Sequence, residues 1–188
     1  MAKRSISRVG LVTSPFDRRA GQLEWILSDV DGVLTDGRIY LDGRGEAIKA
    51  FHVHDGLGIK MARSVGLKVG LLSARSSAPL ERRASQLGID VLLAGQEDKG
   101  AAFDAFLARH QVPASRVAYI GDDLNDLVVL ARCGLSFAPA DAVAEVRDVV
   151  QVVLESAGGR GAVREMIESI LRARGDWQGV LSAFSLER

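Results

Sequence analysis

Four sets of residues in this chain combine type and placement in ways that could do chemistry. Asp29 and Asp31 straddle one residue at the end of an apolar run, with Gly32 next. Both carboxylates can face one pocket if the loop bends; taken alone, Asp-x-Asp-Gly also reads as a solvated turn. Gly121-Asp122-Asp123-Leu124-Asn125-Asp126 follows a second apolar run. Two or three acids at a strand end suit a hard divalent cation that takes oxygen ligands. Acids in a first helical turn are also favoured by the helix dipole, and Asp123 and Asn125 fit that role. Ser73 follows Val69-Gly70-Leu71-Leu72 and can hydrogen-bond a phosphate oxygen or cap a helix. Lys99 could offer a point charge to a phosphate, or could simply be solvated on a helix.

These groups need a scaffold that brings strand ends together. Apolar runs alternate with amphipathic stretches, the pattern of a parallel sheet with crossover helices. Strands are expected over residues 23–28, 68–72, 91–94, 116–120 and 135–138, with a short one over 149–154. Residues 38–41 and 47–51 flank Asp42-Gly43-Arg44-Gly45 and read as a β-hairpin inserted after the first strand. Helices are expected over 79–87, 99–110, 125–132 and 162–174, and one running to about Ser64 that Asp55 can cap. Gly66, Gly88 and Gly175 supply stops, and Asp98 a cap for the helix at 99. The fold class is therefore α/β, a Rossmann-like parallel sheet with helices on both faces. Asp29, Asp31, Ser73, Asp122 and Asp123 fall after the carboxyl ends of strands one, two and four. In open α/β sheets the ligand crevice lies at that edge.

Bulk properties bound the reading. The 188 residues are 47% hydrophobic, which suits one domain with a sizeable core. Formal net charge is zero, so the balance points to no nucleic-acid partner, while a local basic pocket for a small anion leaves no mark on the total. A single cysteine, Cys133, cannot form an internal disulfide and reads as a small core residue. No apolar run approaches the roughly 20 residues that span a bilayer. The first 20 residues carry five basic side chains without an apolar stretch, unlike a secretory signal. The expectation is a cytoplasmic protein with a loosely ordered arm over 1–20, a domain over 21–175 and a tail over 176–188.

The four sets occur in the order Asp-x-Asp-Gly, Ser, Lys, Gly-Asp-Asp. At this point the sequence resembles the haloacid dehalogenase superfamily of phosphohydrolases. The resemblance implies that Asp29 attacks phosphorus and forms an aspartyl-phosphate. It implies that Asp31 protonates the leaving alkoxide and then deprotonates the hydrolytic water. Mg2+ would sit among Asp29, Asp122 and the backbone carbonyl of Asp31, with Ser73 and Lys99 on the remaining phosphoryl oxygens. Asp123 and Asp126 would stand behind them. An ordinary aspartate is only about 0.1% protonated at neutral pH, so Asp31 would need a raised pKa from burial or nearby negative charge.

The intervals from Asp31 to Ser73, Lys99 and Asp122 are filled by crossover elements, so the chain has no cap domain of its own. An uncapped site is wet unless the hairpin or a neighbouring subunit covers it. Uncapped superfamily members of this length include the 3-deoxy-D-manno-octulosonate 8-phosphate (KDO 8-phosphate) phosphatases, which are tetramers. The similarity runs through Asp29-Val-Asp-Gly-Val-Leu-Thr-Asp-Gly37, Gly45-Glu-Ala-Ile-Lys-Ala-Phe51, Asp55-Gly-Leu-Gly-Ile-Lys60, Ser73-Ala-Arg75, Tyr119-Ile-Gly-Asp-Asp123 and Ala157-Gly-Gly-Arg-Gly-Ala-Val-Arg-Glu165. It implies substrate contacts at Asp31, His52, Val53, His54, Asp55, Gly56, Lys60, Arg75, Arg83 and Lys99. It also implies that Gly158-Gly159-Arg160-Gly161 enters a neighbouring active site of a homotetramer, where Arg160 reaches substrate. Two positions depart from the family: His54 stands where Arg is usual, and Ala74 where Gly is usual.

The implied reaction is hydrolysis of KDO 8-phosphate in lipopolysaccharide sugar synthesis. A nonulosonate 9-phosphate phosphatase is the nearest alternative; those relatives typically carry an acid where Arg75 stands. A catalytically silent interaction protein on the same fold is the alternative of another class. The intact Asp29, Asp31, Lys99 and Asp122 weigh against it.

Overall fold

The computed structural model describes residues 14–43 and 45–184. Strand β1 (Trp25–Ser28) is the centre of the molecule, because every one of its four side chains is buried. It pairs in parallel with both β4 (Lys68–Leu72) and β6 (Val117–Ile120). Beyond β4 lies β5 (Val91–Leu93), and beyond β6 lie β7 (Leu135–Ala138) and β8 (Val152–Val153). The six-stranded order is β5-β4-β1-β6-β7-β8. A separate antiparallel pair, β2 (Tyr40–Asp42) and β3 (Gly45–Ile48), forms the expected hairpin after β1.

Near-continuous apolar strands need cover on both faces, and alternate side chains supply it. Ile26 joins one core with helices α2 (Val53–Ser64), α3 (Ala78–Leu87) and α7 (Ala162–Arg174). Trp25 and Leu27 join the opposite core, with α4 (Lys99–His110), α5 (Leu127–Leu130) and α6 (Ala144–Arg147). Trp25 meets Phe106 edge to face at 4.9 Å. Cys133 is buried in this second core, and burial pushes its thiol up to about 12, so it stays a neutral thiol.

Several boundaries differ from expectation for local reasons. Residues 15–20 of the expected arm form helix α1 (Pro15–Ala20), started by a reciprocal capping box between Ser14 and Asp17. The rest of that arm, residues 1–13, lies outside the described residues. Asp55 does not cap α2; His52 occupies that position. The helix expected over 125–132 is a 3₁₀ turn, Leu124–Asp126, followed by α5, because Asp123 and Asp126 close a capping box that tightens the chain. The tail carries helix α8 (Trp177–Phe184), whose Val180 is buried in the first core. Strand β8 is two residues long where 149–154 had been expected. The Gln151 backbone N–H donates to the Ser136 hydroxyl there.

Candidate active site

The strand order decides which loops meet. Ser73 follows β4 and Asp122 follows β6, so both flank Asp29 at the end of β1. Asp29 is buried, and its backbone N–H donates to the Ile120 carbonyl at 3.0 Å. Lys99 opens α4, where Asp98 caps the helix by accepting from the Ala101 N–H. Its buried ammonium lies 2.9 Å from Asp29 Oδ1 and 2.6 Å from Asp126 Oδ1. Carboxylate oxygens of Asp29, Asp122 and Asp126 all lie within 4.8 Å of one another.

Asp126 is saturated. Oδ1 accepts from Lys99 and from the Tyr119 hydroxyl; Oδ2 accepts from the backbone N–H of Asp122 and Asp123 at 3.0 and 3.2 Å. Asp122, by contrast, has a buried Oδ1 with no hydrogen-bond partner among the described residues. A carboxylate oxygen in that position needs a cation or a proton. Burial, with Asp29 and Asp126 beside it, raises the Asp122 carboxyl to about 8. Burial and then Asp126 raise Asp29 to about 7, against the opposing pull of Lys99. Burial works against the Lys99 charge, but Asp29 and Asp126 outweigh it and hold the ammonium above its ordinary value. The crowded pair therefore holds a proton where a divalent cation would remove it.

Asp31 sits differently. Its Oδ1 is ion-paired to the ammonium of Lys49, and its Oδ2 lies 3.5 Å from the Ser73 hydroxyl. The buried Ser73 hydroxyl also accepts from the Arg75 N–H at 3.1 Å. The charge beside Asp31 is thus a cation, where burial or nearby negative charge is the expectation. Gly32 makes the turn after Asp31 possible: its φ is +91°, and a Cβ there would overlap the Asp122 carboxylate. The site so far is two acids on one loop, a third acid facing the first, a lysine and a hydroxyl.

The comparisons with known proteins agree with this geometry. Residues 84–167 match the family described as haloacid dehalogenase-like hydrolase. A 3-deoxy-D-manno-octulosonate 8-phosphate phosphatase, KdsC, of Haemophilus influenzae is 48% identical over 81% of this chain and 85% of its own. The chain belongs to this phosphatase family of haloacid dehalogenase-like hydrolases. The cobalt-bound enzyme of the same species superposes with a TM-score of 0.81, at 46% identity over 84% of this chain and 92% of that one. The Moraxella catarrhalis phosphatase, solved with magnesium, phosphate and KDO, superposes with a TM-score of 0.87. It is 35% identical and covers 90% of this chain and 98% of its own.

The family's expected substrate positions divide into those the fold brings to the crevice and those it does not. A cleft of about 620 Å³ beside the hairpin is lined by Lys49, Phe51, Val53, Arg82 and Arg83 among others. The Arg83 guanidinium stacks over Phe51 at 5.6 Å and presses on Gly56, where a Cβ would fall 2.6 Å from it. Exposed Arg75 stands at the carboxyl end of β4, next to Ser73. His52 and His54 touch edge to face at 4.9 Å, and His54 is exposed. Beside Ser73, Ala74 is half-buried. Lys60 lines a hollow with Arg63, Lys68 and Asp90, at the amino ends of β4 and β5 and so at the far edge of the sheet. The buried Asp55 carboxylate points into the fold: it accepts from the Arg164 N–H at 2.8 Å and so caps α7. Burial raises its pKa. Asp123 is exposed and bonds the Leu124 N–H, which is capping alone.

The Gly158–Arg160 stretch lies on its own chain's Asp31 loop. A Cβ at Gly158 would overlap the Gly32 carbonyl, and the Gly159 N–H donates to Val33 O at 2.9 Å. Arg160 lines a hollow of about 220 Å³ with Asp36, Phe51 and His52. Sequence reasoning missed Lys49. The signal was available in Ile48-Lys49-Ala50-Phe51, a lysine set between apolar residues at the hairpin's exit.

Proposed function

We propose that this protein hydrolyses KDO 8-phosphate to KDO and inorganic phosphate with the help of Mg2+. The observation that carries the reading is the placement of Asp29. It lies buried between the Lys99 ammonium and the Asp122 carboxyl, whose Oδ1 has no hydrogen-bond partner among the described residues, at the carboxyl end of the central strand. Asp29 and Asp122 fit a hard cation, with the Asp31 carbonyl as the family's third protein ligand. Bound Mg2+ would neutralise the crowded carboxylates and withdraw charge from the phosphoryl group.

The chain's own groups carry the steps. Asp29 is the nucleophile and takes the phosphoryl group from the sugar oxygen. Asp31 gives that oxygen its proton and later takes one from the water that frees Asp29 as inorganic phosphate is released. Lys99, held by Asp126, and the Ser73 hydroxyl orient the phosphoryl oxygens. Arg75 and Arg83 offer bidentate partners for the sugar acid's carboxylate. The exposed hairpin residues Leu41 and Ile48, 70% and 60% accessible, favour burial against other copies of the chain in a homotetramer. Arg160 would then serve a neighbouring site. A cytoplasmic location completes the reading; no helix among the described residues is long and apolar enough to cross a membrane.

The test is phosphate release from a panel of sugar phosphates, with and without Mg2+, by the wild-type chain and by Asp29→Asn. Magnesium-dependent release that favours KDO 8-phosphate and is lost in Asp29→Asn is expected. Preference for a nonulosonate 9-phosphate would overturn the substrate, and unchanged release by Asp29→Asn would overturn the mechanism.

A further inference from the structure

Asp141 belongs to none of the motifs that build the site. It is exposed on the loop between β7 and α6. An acid just before a helix suggests a cap, but α6 starts from Val143 with no side-chain cap. Oδ1 of Asp141 instead accepts from the N–H of buried Gly158 at 2.8 Å. Gly158 and Gly159 press on the loop that carries Asp31. A Cβ at Gly158 would fall 1.8 Å from the Gly32 carbonyl oxygen, and one at Gly159 would fall 2.6 Å from the Asp36 nitrogen. The Gly159 N–H donates to the Val33 carbonyl at 2.9 Å. Gly32 is therefore held by the glycine pair at its carbonyl and by the Asp122 carboxylate at its Cα. Two residues beyond Asp141, the Val143 N–H donates to the Asp122 carbonyl at 3.0 Å. One short segment, 141–143, holds both acidic loops, the second directly and the first through Gly158.

We propose that Asp141 is a positioning residue for the divalent cation: through Gly158 it braces the Asp31 loop against Asp122. This rests on the reading of Asp29, Asp122 and the Asp31 carbonyl as the cation's ligands. Those ligands come from two loops, so their spacing depends on how the loops are joined. A cation that binds a slack loop must also order it, and that cost is subtracted from its affinity. Bare glycine backbone allows the close contact but loses more freedom on ordering than any other residue. A carboxylate is a strong, charge-assisted acceptor that can anchor it. The brace asks for an acceptor oxygen at position 141, and not for a negative charge.

Calorimetric titration of the metal-free chain with Mg2+ tests this without turnover. Asp141→Ala should raise the dissociation constant about tenfold, the lower end of what loss of a ligand's support costs. Asp141→Asn keeps an oxygen acceptor for Gly158 and should stay within about twofold of wild type. In chelator, amide hydrogens over residues 30–36 should exchange faster in Asp141→Ala, because the slack is present before the cation arrives. The metal-free melting temperature should stay near wild type, since the side chain is exposed. An unchanged dissociation constant or unchanged exchange in Asp141→Ala overturns the proposal. So does Asp141→Asn binding as weakly as Asp141→Ala, which would make the charge responsible. A lower metal-free melting temperature with wild-type Mg2+ affinity would make Asp141 a loop staple and overturn it as well. Absence of Mg2+ binding by the wild-type chain would instead overturn the reading of the site itself.

Discussion

Lys99 Nζ lies 2.6 Å from Asp126 Oδ1, and both side chains are buried. Asp126 is the hub of this end of the sheet, since it also receives the Tyr119 hydroxyl and two backbone N–H groups. Removing one partner of a buried pair leaves the other uncompensated, at about 3–5 kcal/mol. Asp126→Ala should therefore unfold at lower urea, with a loss of that order. Asp126→Asn, which keeps the shape and an acceptor, should lose less. Equal midpoints for wild type and Asp126→Ala would contradict the role given to this contact.

Gly32→Ala tests the join between the two acidic loops. The new methyl would overlap the Asp122 carboxylate, and φ of +91° is strained for alanine. Displacing a metal ligand or its support typically costs about 10–100-fold in affinity. The Mg2+ concentration for half-maximal phosphate release should rise by that factor, with the fold retained by circular dichroism. A wild-type magnesium curve would show that Asp122 does not need this glycine.

The crowded carboxylates also make the metal-free protein sensitive to pH. Asp122 and Asp29 stand at about 8 and 7 in the folded chain, against 3.8 as the ordinary value. Between those values the folded state holds protons that the unfolded state has lost. Their stabilising contribution is therefore full below about pH 4 and lost as pH rises through 7 and 8. In excess chelator, the melting temperature should carry a component that falls from pH 5 to pH 9. Added Mg2+ should raise it more at pH 9 than at pH 5, because the cation displaces these protons. A Mg2+ increment independent of pH would contradict the shifts.

The parts of the fold that were legible in the sequence are those with local causes. Residues 68–72, 135–138, 99–110 and 162–174 form elements at their expected bounds, because apolar runs, the Asp98 cap and the Gly175 stop lie within a few residues of each element. Helix α1 has a local cause too, the capping box and proline of Ser14-Pro15-Phe16-Asp17, set among basic residues that favour a loose arm. Asp55 shows why the rest was hidden. It stands where a cap for α2 is expected, yet it caps α7 at Arg164, a partner that only the tertiary fold supplies. Of the site, Asp29, Asp122, Lys99 and Ser73 converge because all mark strand or helix ends of one edge. Lys49 joins them through the hairpin; its apolar flanks signal burial, but only the tertiary fold supplies Asp31 as its partner.

Strand β1 has consequences for how the chain assembles. It precedes every other strand among the described residues, yet its two neighbours, β4 and β6, come from far later in the chain. During synthesis β1 can meet β4 first, but the Asp29 N–H would wait for its partner, the Ile120 carbonyl, until residues 117–120 leave the ribosome. The Asp31 loop would wait longer still, for the glycines that lie on it. Such distant pairings slow folding and leave apolar strands exposed meanwhile. Asp29 is thus made long before Ser73, Lys99 and Asp122, and a chain stopped short of β6 cannot carry the assembled crevice.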